Sequence, residues 1–82
     1  MLAKIHVTFK NGVLDPQGKA VHHALNDLGF NEVRDVTLGK YLEIKLEGVS
    51  AEEAEHRVSD MCEKLLANTV IESYRYTLDP TD

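Results

Sequence analysis

Four histidines, one cysteine and a surplus of carboxylates are the residues of this 82-residue sequence that could do chemistry. His22 and His23 are adjacent, and neighbouring side chains on a helix diverge by about 100°, so the two cannot chelate one ion together. The HExxH spacing that sets two histidines on one helical face does not occur. His6 falls in a strand-like stretch and His56 on the polar side of a helical one, so surface histidines are expected in place of a metal site. Cys62 has no partner for a Cys-x-x-Cys pair, and nothing close in sequence would lower its pKa. It reads as a small buried hydrophobe. Gly12, Gly18, Gly29, Gly39 and Gly48 are isolated and build no phosphate-cradling loop. Carboxylates are plentiful, yet no spacing singles out an acid and base pair. The expectation is a chain with no catalytic residue, no metal ligand and no cofactor site of its own.

Eighty-two residues make one domain, spanning 1–82, with a thin stability margin that oligomerisation commonly remedies. The net charge of −5 is unevenly spread: residues 1–41 carry five Lys/Arg against four Asp/Glu, and residues 42–82 carry four against ten. With no basic stripe to neutralise phosphates, nucleic-acid binding is disfavoured. No stretch approaches the roughly 20 apolar residues of a membrane span, and the opening residues are too short an apolar run for a signal peptide. A lone cysteine suits a reducing compartment, so a cytoplasmic protein is expected.

The elements that must position these residues can be read from periodicity. Ile5, Val7 and Phe9 alternate with His6 and Thr8, predicting a strand with the apolar residues on one face. Asp15 as N-cap and Pro16 at the first helical position open a helix whose stripe is Val21, Ala24, Leu25 and Leu28, closed by Gly29. Val33 to Leu38 reads as a second strand, joined through a Gly39-Lys40 type II′ turn to a third, Tyr41 to Glu47, with Leu42, Ile44 and Leu46 inward. Ser50 and Glu53 form a capping box that opens a second helix, with the stripe Ala54, Val58, Met61, Cys62, Leu65 and an Asn68 cap. Glu53–Arg57 and Asp60–Lys64 are spaced for i, i+4 pairs on its polar face. A last strand runs from Val70 to about Leu78, before a polar tail, Pro80-Thr81-Asp82.

The order βαββαβ predicts an α+β, ferredoxin-like split βαβ fold: four antiparallel strands with both helices on one face. That fold hosts many functions and decides none. Two features stand out. Gly18 inside a first helical turn is costly unless close backbone approach requires it, which leaves Asp15-Pro16-Gln17-Gly18 as either a tolerant turn or a helix start offered to a partner. Tyr74 and Tyr76 share one face of the last strand, and pattern alone allows that face to be inner or outer. If outer, they join Tyr41 on an open aromatic surface of the kind that carries protein interfaces.

Over nearly its whole length the chain resembles the PurS family, small subunits of phosphoribosylformylglycinamidine synthase. The resemblance rests on Asn11-Gly12-Val13-Leu14-Asp15-Pro16-Gln17-Gly18, on Ala24-Leu25 with Leu28-Gly29-Phe30, and on Gly39-Lys40-Tyr41 with Glu43. It continues through Met61-Cys62-Glu63-Lys64-Leu65-Leu66-Ala67-Asn68 and Val70-Ile71-Glu72-Ser73-Tyr74. Thr69 departs from a frequent proline and Thr37 from a frequent arginine.

The resemblance implies a non-catalytic subunit of an ATP-dependent amidotransferase, a ligase of purine biosynthesis. In that complex PurQ releases ammonia from glutamine, and PurL, with ATP and magnesium, converts formylglycinamide ribonucleotide to the amidine. The small subunit would bridge PurL and PurQ as a homodimer or dimer of dimers and assist ammonia transfer. Asp15, Pro16, Gln17, Gly18, Lys40, Tyr41 and Tyr74 are the candidate contact residues. The other reading of the fold is a regulatory module that binds a small molecule, and a thermal-shift screen with amino acids and purine intermediates separates the two.

Overall fold

The computed structural model describes residues 1–80; Thr81 and Asp82, the end of the expected polar tail, lie outside the described residues. Its elements are β1 (Leu2–Phe9), α1 (Pro16–Asp27), β2 (Gly39–Lys45), α2 (Ala51–Met61) continued by a π-helical turn (Cys62–Leu66), and β3 (Glu72–Asp79). The three strands form one antiparallel sheet in the order β2-β1-β3.

The period-two pattern of β1 does what alternation demands. Ala3, Ile5 and Val7 are buried on one face, and α2 with its π-helical continuation covers that face with Ala54, Val58 and Cys62. Register then decides the neighbours. Ile5 is paired with Leu42 on one side and Tyr76 on the other, so Leu42, Ile44, Tyr74 and Tyr76 share the helix side. His6 is paired with Tyr41 and Arg75 on the opposite, bare side.

Local capping follows the sequence closely. Ser50 Oγ accepts from Glu53 N at 3.1 Å while the Glu53 carboxylate accepts from Ser50 N at 3.1 Å, completing the capping box. The Asp15 carboxylate caps α1, and Pro16 occupies its first turn. Gly29 closes α1 at φ +102°, with Phe30 N donating to Leu25 O and Gly29 N to Asn26 O, which is a Schellman arrangement. Asp60 and Lys64 lie 4.0 Å apart.

Several expectations are corrected. Among the described residues the sheet has three strands; residues 33–38 form no ladder, and Gly39-Lys40 makes no hairpin turn. Both lie inside β2, paired with Thr8 and Val7. A type II′ turn needs a positive φ at its first central residue, and the positive-φ glycines are Gly12, Gly29 and Gly48. Gly39 serves close approach instead: a Cβ there would lie 2.5 Å from Val7 O. Asn68 does not cap α2. Ala67 ends the π turn, and Asn68 O accepts from Ile71 N and Glu72 N, shaping the turn into β3.

The position of α1 is the largest difference. It was expected on the same sheet face as α2, yet it buries only Gly18 and contributes nothing to the core. The chain is correspondingly stretched, measuring 50 × 28 × 14 Å with a radius of gyration of 16.2 Å. A compact domain of this length would have a radius of about 12 Å. Residues 11–38 therefore form an arm beside a small three-stranded sheet.

Candidate assembly surface

The arm is held together by its own polar bonds. Asp15 spends both carboxylate oxygens: Oδ1 accepts from Gly18 N at 2.8 Å and Oδ2 from Leu38 N at 2.9 Å. These two donors, Leu38 first, hold the Asp15 carboxyl below the usual carboxylate range. The second bond ties the start of α1 to the segment that enters β2. Gly18 is buried in the same clamp, where a Cβ would lie 2.3 Å from Val36 O. Farther along, His22 Nε2 lies 3.0 Å from Val33 O, and Asn26 Nδ2 donates to Phe30 O at 2.9 Å. Within the Asp15-Pro16-Gln17-Gly18 run, the Gly18 N–H at the head of α1 faces Asp15, and the close approach of Val36 O requires Gly18.

Lys40 and Tyr41 sit side by side at the start of β2 and point to opposite faces. Lys40 Nζ donates to Leu66 O at 3.3 Å, crossing to the carbonyl end of the π turn, where a cation suits the helix dipole. Lys40 and Gln17 line one cleft of about 200 Å³ with Val7, Leu38, Gly39 and Glu72. Tyr41 is 51% exposed on the bare face, tilted against His6 with ring centroids 4.8 Å apart. Its hydroxyl donates to Glu43 at 2.8 Å, and that carboxylate raises the phenol's pKa.

Tyr74 belongs to the other face. Its hydroxyl donates to Glu63 at 2.7 Å, which raises its pKa, and its ring stacks on Tyr76 with centroids 6.5 Å apart. The two faces left open by the sequence are now assigned: Tyr74 and Tyr76 close the edge of the core, and Tyr41 stands apart with His6. Of the seven candidates, the structure gathers Asp15, Pro16, Gln17, Gly18 and Lys40 around the junction of arm and sheet, and leaves Tyr41 and Tyr74 on separate faces.

Sequence reasoning missed the apolar surface that results. Leu14 is 64%, Leu28 75% and Phe30 48% exposed on the arm, and Leu65 is 82% exposed beside the sheet. Leu65 lines a groove of about 480 Å³ on the helix side of β2, together with the apolar Ile44, Met61 and Leu66 and the charged Arg57, Asp60 and Lys64. Periodicity puts Val21, Leu28 and Leu65 on apolar helical stripes, and all three are exposed. The signal that was available is the pair Leu28 and Phe30 around Gly29, two large apolar residues set among Asn26, Asp27, Asn31 and Glu32 at a helix end.

Cys62 is fully buried and its thiol is pushed up by that burial, with Glu63 adding to the shift. Among the described residues no cluster of His, Cys, Asp or Glu is placed to hold a metal ion, and no helix is long and apolar enough to cross a membrane.

Comparison with known proteins bears on this surface. The family model described as PurS, phosphoribosylformylglycinamidine (FGAM) synthase, matches residues 2–80. The chain is 54% identical over 76 residues to the phosphoribosylformylglycinamidine synthase subunit PurS of Bacillus subtilis, covering 93% of this chain and 89% of the relative. It is 47% identical over 74 residues to the same subunit of Archaeoglobus fulgidus, covering 90% and 92%. Among solved structures it is similar to PurS of Methanocaldococcus jannaschii, a subunit of formylglycinamide ribonucleotide amidotransferase, with a TM-score of 0.87, 38% identity and 99% and 98% of the two chains covered. It also matches a chain in the structure of PurLQS from Thermotoga maritima, with a TM-score of 0.80, 30% identity and coverage of 94% and 96%.

Proposed function

The chain belongs to the PurS family, and from that membership we propose that it is the small assembly subunit of phosphoribosylformylglycinamidine synthase, joining PurL and PurQ in purine biosynthesis. The observation that carries the reading is the family match across residues 2–80. The surface supports it. Tyr41 is exposed together with Leu14, Leu28, Phe30 and Leu65, and tyrosine is among the residue types that carry the energy of protein interfaces.

On this reading the subunit performs no chemistry. ATP and magnesium act in PurL, glutamine is hydrolysed in PurQ, and this chain holds the two so that ammonia passes between them. Ammonia released into water near neutral pH would be protonated and lose its nucleophilicity, so a sheltered passage has a physical purpose. We place the protein in the cytoplasm with its partners, and we read it as self-associating, as a homodimer or dimer of dimers. A ferredoxin-like arrangement, with residues 33–38 as its fourth strand, is the form we expect the sheet to take once the assembly is complete. Asp15, Pro16, Gln17, Gly18 and Lys40 are assigned to the junction that sets the arm's direction, and Tyr41 and Tyr74 to contacts on the two sheet faces.

Mixing this protein with PurL and PurQ should give a larger species and amidine formation that depends on glutamine. Equal glutamine-dependent activity with the small subunit left out would end the proposal.

A further inference from the structure

We propose that the bare face of the sheet carries an oxyanion site, a shallow cavity between β1 and β3 that takes the phosphate group of a phosphate monoester. The site binds and does not react. It is independent of the assembly reading, because it draws on neither the arm, the apolar groove nor the family match.

The cavity holds about 100 Å³ and is lined by His6, Thr8, Ser73, Tyr74 and Arg75. At roughly 30 Å³ per water molecule that is room for about three waters, enough for one phosphate group and little more. Register builds it. His6 is paired with Arg75 and Thr8 with Ser73, so these four side chains stand on one face as two adjacent cross-strand pairs. Directly opposed side chains start about 5 Å apart, and successive same-face positions on a strand lie about 7 Å apart. A tetrahedral anion at the centre of such a rectangle is within hydrogen-bonding reach of all four corners. Those corners supply a guanidinium fork, two hydroxyls and an imidazole, which suit three terminal oxygens better than the pair on a carboxylate.

Charge singles out the same place. Although the whole chain carries −5, no carboxylate lines the cavity. The two acidic residues that the strands place on this face are engaged elsewhere: Asp79 lies 3.2 Å from Lys4 Nζ, and Glu43 accepts from the Tyr41 hydroxyl at 2.8 Å. Among the described residues the Arg75 side chain has neither an ion pair nor a hydrogen bond. Its planar fork is the side-chain group that best matches phosphate geometry, and it stands beside His6 across the ladder and Ser73 along the strand. Tyr41 packs on His6 from the β2 side with ring centroids 4.8 Å apart, which restrains the imidazole at the cavity. Thr8, Ser73 and Arg75 are exposed, so the fourth, ester oxygen and the group it carries have open solvent to occupy.

Amide shifts of the isotope-labelled full chain test this, titrated at constant ionic strength in chloride with inorganic phosphate, ribose 5-phosphate and acetate. Both phosphates should move the amides of His6, Thr8, Ser73 and Arg75 along saturating curves, and acetate should bind more weakly. Arg75→Gln should weaken phosphate binding about tenfold or more, the loss expected of a charge-assisted hydrogen bond. Arg34→Gln, which removes an exposed arginine of the arm, should leave binding unchanged. Ser73→Ala keeps every charge and should weaken binding by a smaller factor, so the site is tested even where Arg75→Gln disturbs the fold. Shifts that rise linearly with phosphate, or equal losses in Arg75→Gln and Arg34→Gln, overturn the site. A response to acetate as strong as that to phosphate would make it a receptor for a protein carboxylate and overturns the proposal. Binding of inorganic phosphate with rejection of ribose 5-phosphate overturns the assignment to a monoester.

Discussion

The Asp15 carboxylate reaches across 23 residues of chain to the backbone N–H of Leu38 at 2.9 Å, and so couples the start of α1 to the entry of β2. The same side chain caps the helix through Gly18 N at 2.8 Å. One residue therefore sets both where the helix begins and which way the arm leaves the sheet.

This coupling titrates. Asp15 is held below the usual carboxylate range by Leu38 N–H and then by Gly18 N–H. A depressed carboxyl stabilises the folded arm above its unfolded-chain pKa of about 3.9, and that stabilisation is lost as the pH falls through the lower folded value. Amide exchange at Leu38 and Gly18 should stay slow at neutral pH, beyond the intrinsic pH dependence of exchange, and lose that protection in acid. In Asp15→Asn one of the two amides should be unprotected at every pH, because an amide nitrogen cannot accept.

Gly18→Ala should be destabilising although Ala favours helices. Its Cβ would meet Val36 O at 2.3 Å, a backbone atom that cannot rotate away. Overpacking of this kind costs about 1–3 kcal/mol. Urea unfolding should show a lower midpoint for Gly18→Ala; a midpoint equal to or above wild type would mean that the clamp yields freely.

The two tyrosines should separate by readout. Tyr74→Phe removes the donor to Glu63 and should lower the thermal midpoint. Tyr41→Ala touches an exposed ring on the bare face and should leave the midpoint unchanged while weakening co-elution with PurL or PurQ. Full assembly by the Tyr41→Ala chain would take that residue off the contact surface.

The Cys62 thiol should resist alkylation in the folded chain at neutral pH, because burial both shields it and raises its pKa. Iodoacetamide followed by mass measurement should show one added group in denaturant and none without it. Native-state labelling at the denatured rate would place Cys62 outside the core.

Ile5 is fully buried at the centre of the sheet, between Leu42 and Tyr76. Ile5→Ala should cost about 2–5 kcal/mol and Ile5→Val about 0.5–1.5 kcal/mol. In so small a core the first change should leave the chain largely unfolded at room temperature, as far-UV circular dichroism would report.

Capping and alternation were legible in the residues themselves. Ser50 and Glu53, Asp15 with Pro16, Gly29, and the inward face of β1 all follow from local chemistry, and the structure has each of them. What periodicity could not supply was the partner of an apolar face. Val21, Ala24, Leu25 and Leu28 mark a stripe without saying what covers it, and α1 lies off the sheet. Gly39 misled for a related reason: glycine serves tight turns and close approaches alike, and here Val7 O required the second. The face of Tyr74 needed the register with Val7, which is a long-range fact absent from the spacing of β3 alone.

The elongated outline has a practical consequence for every measurement of mass. A particle 50 Å long and 14 Å thick meets more friction than a sphere of equal weight. On a column calibrated with round standards it elutes early, and a lone chain would pass for a heavier species. Light scattering or equilibrium sedimentation, which weigh the particle regardless of outline, are the instruments suited to this protein.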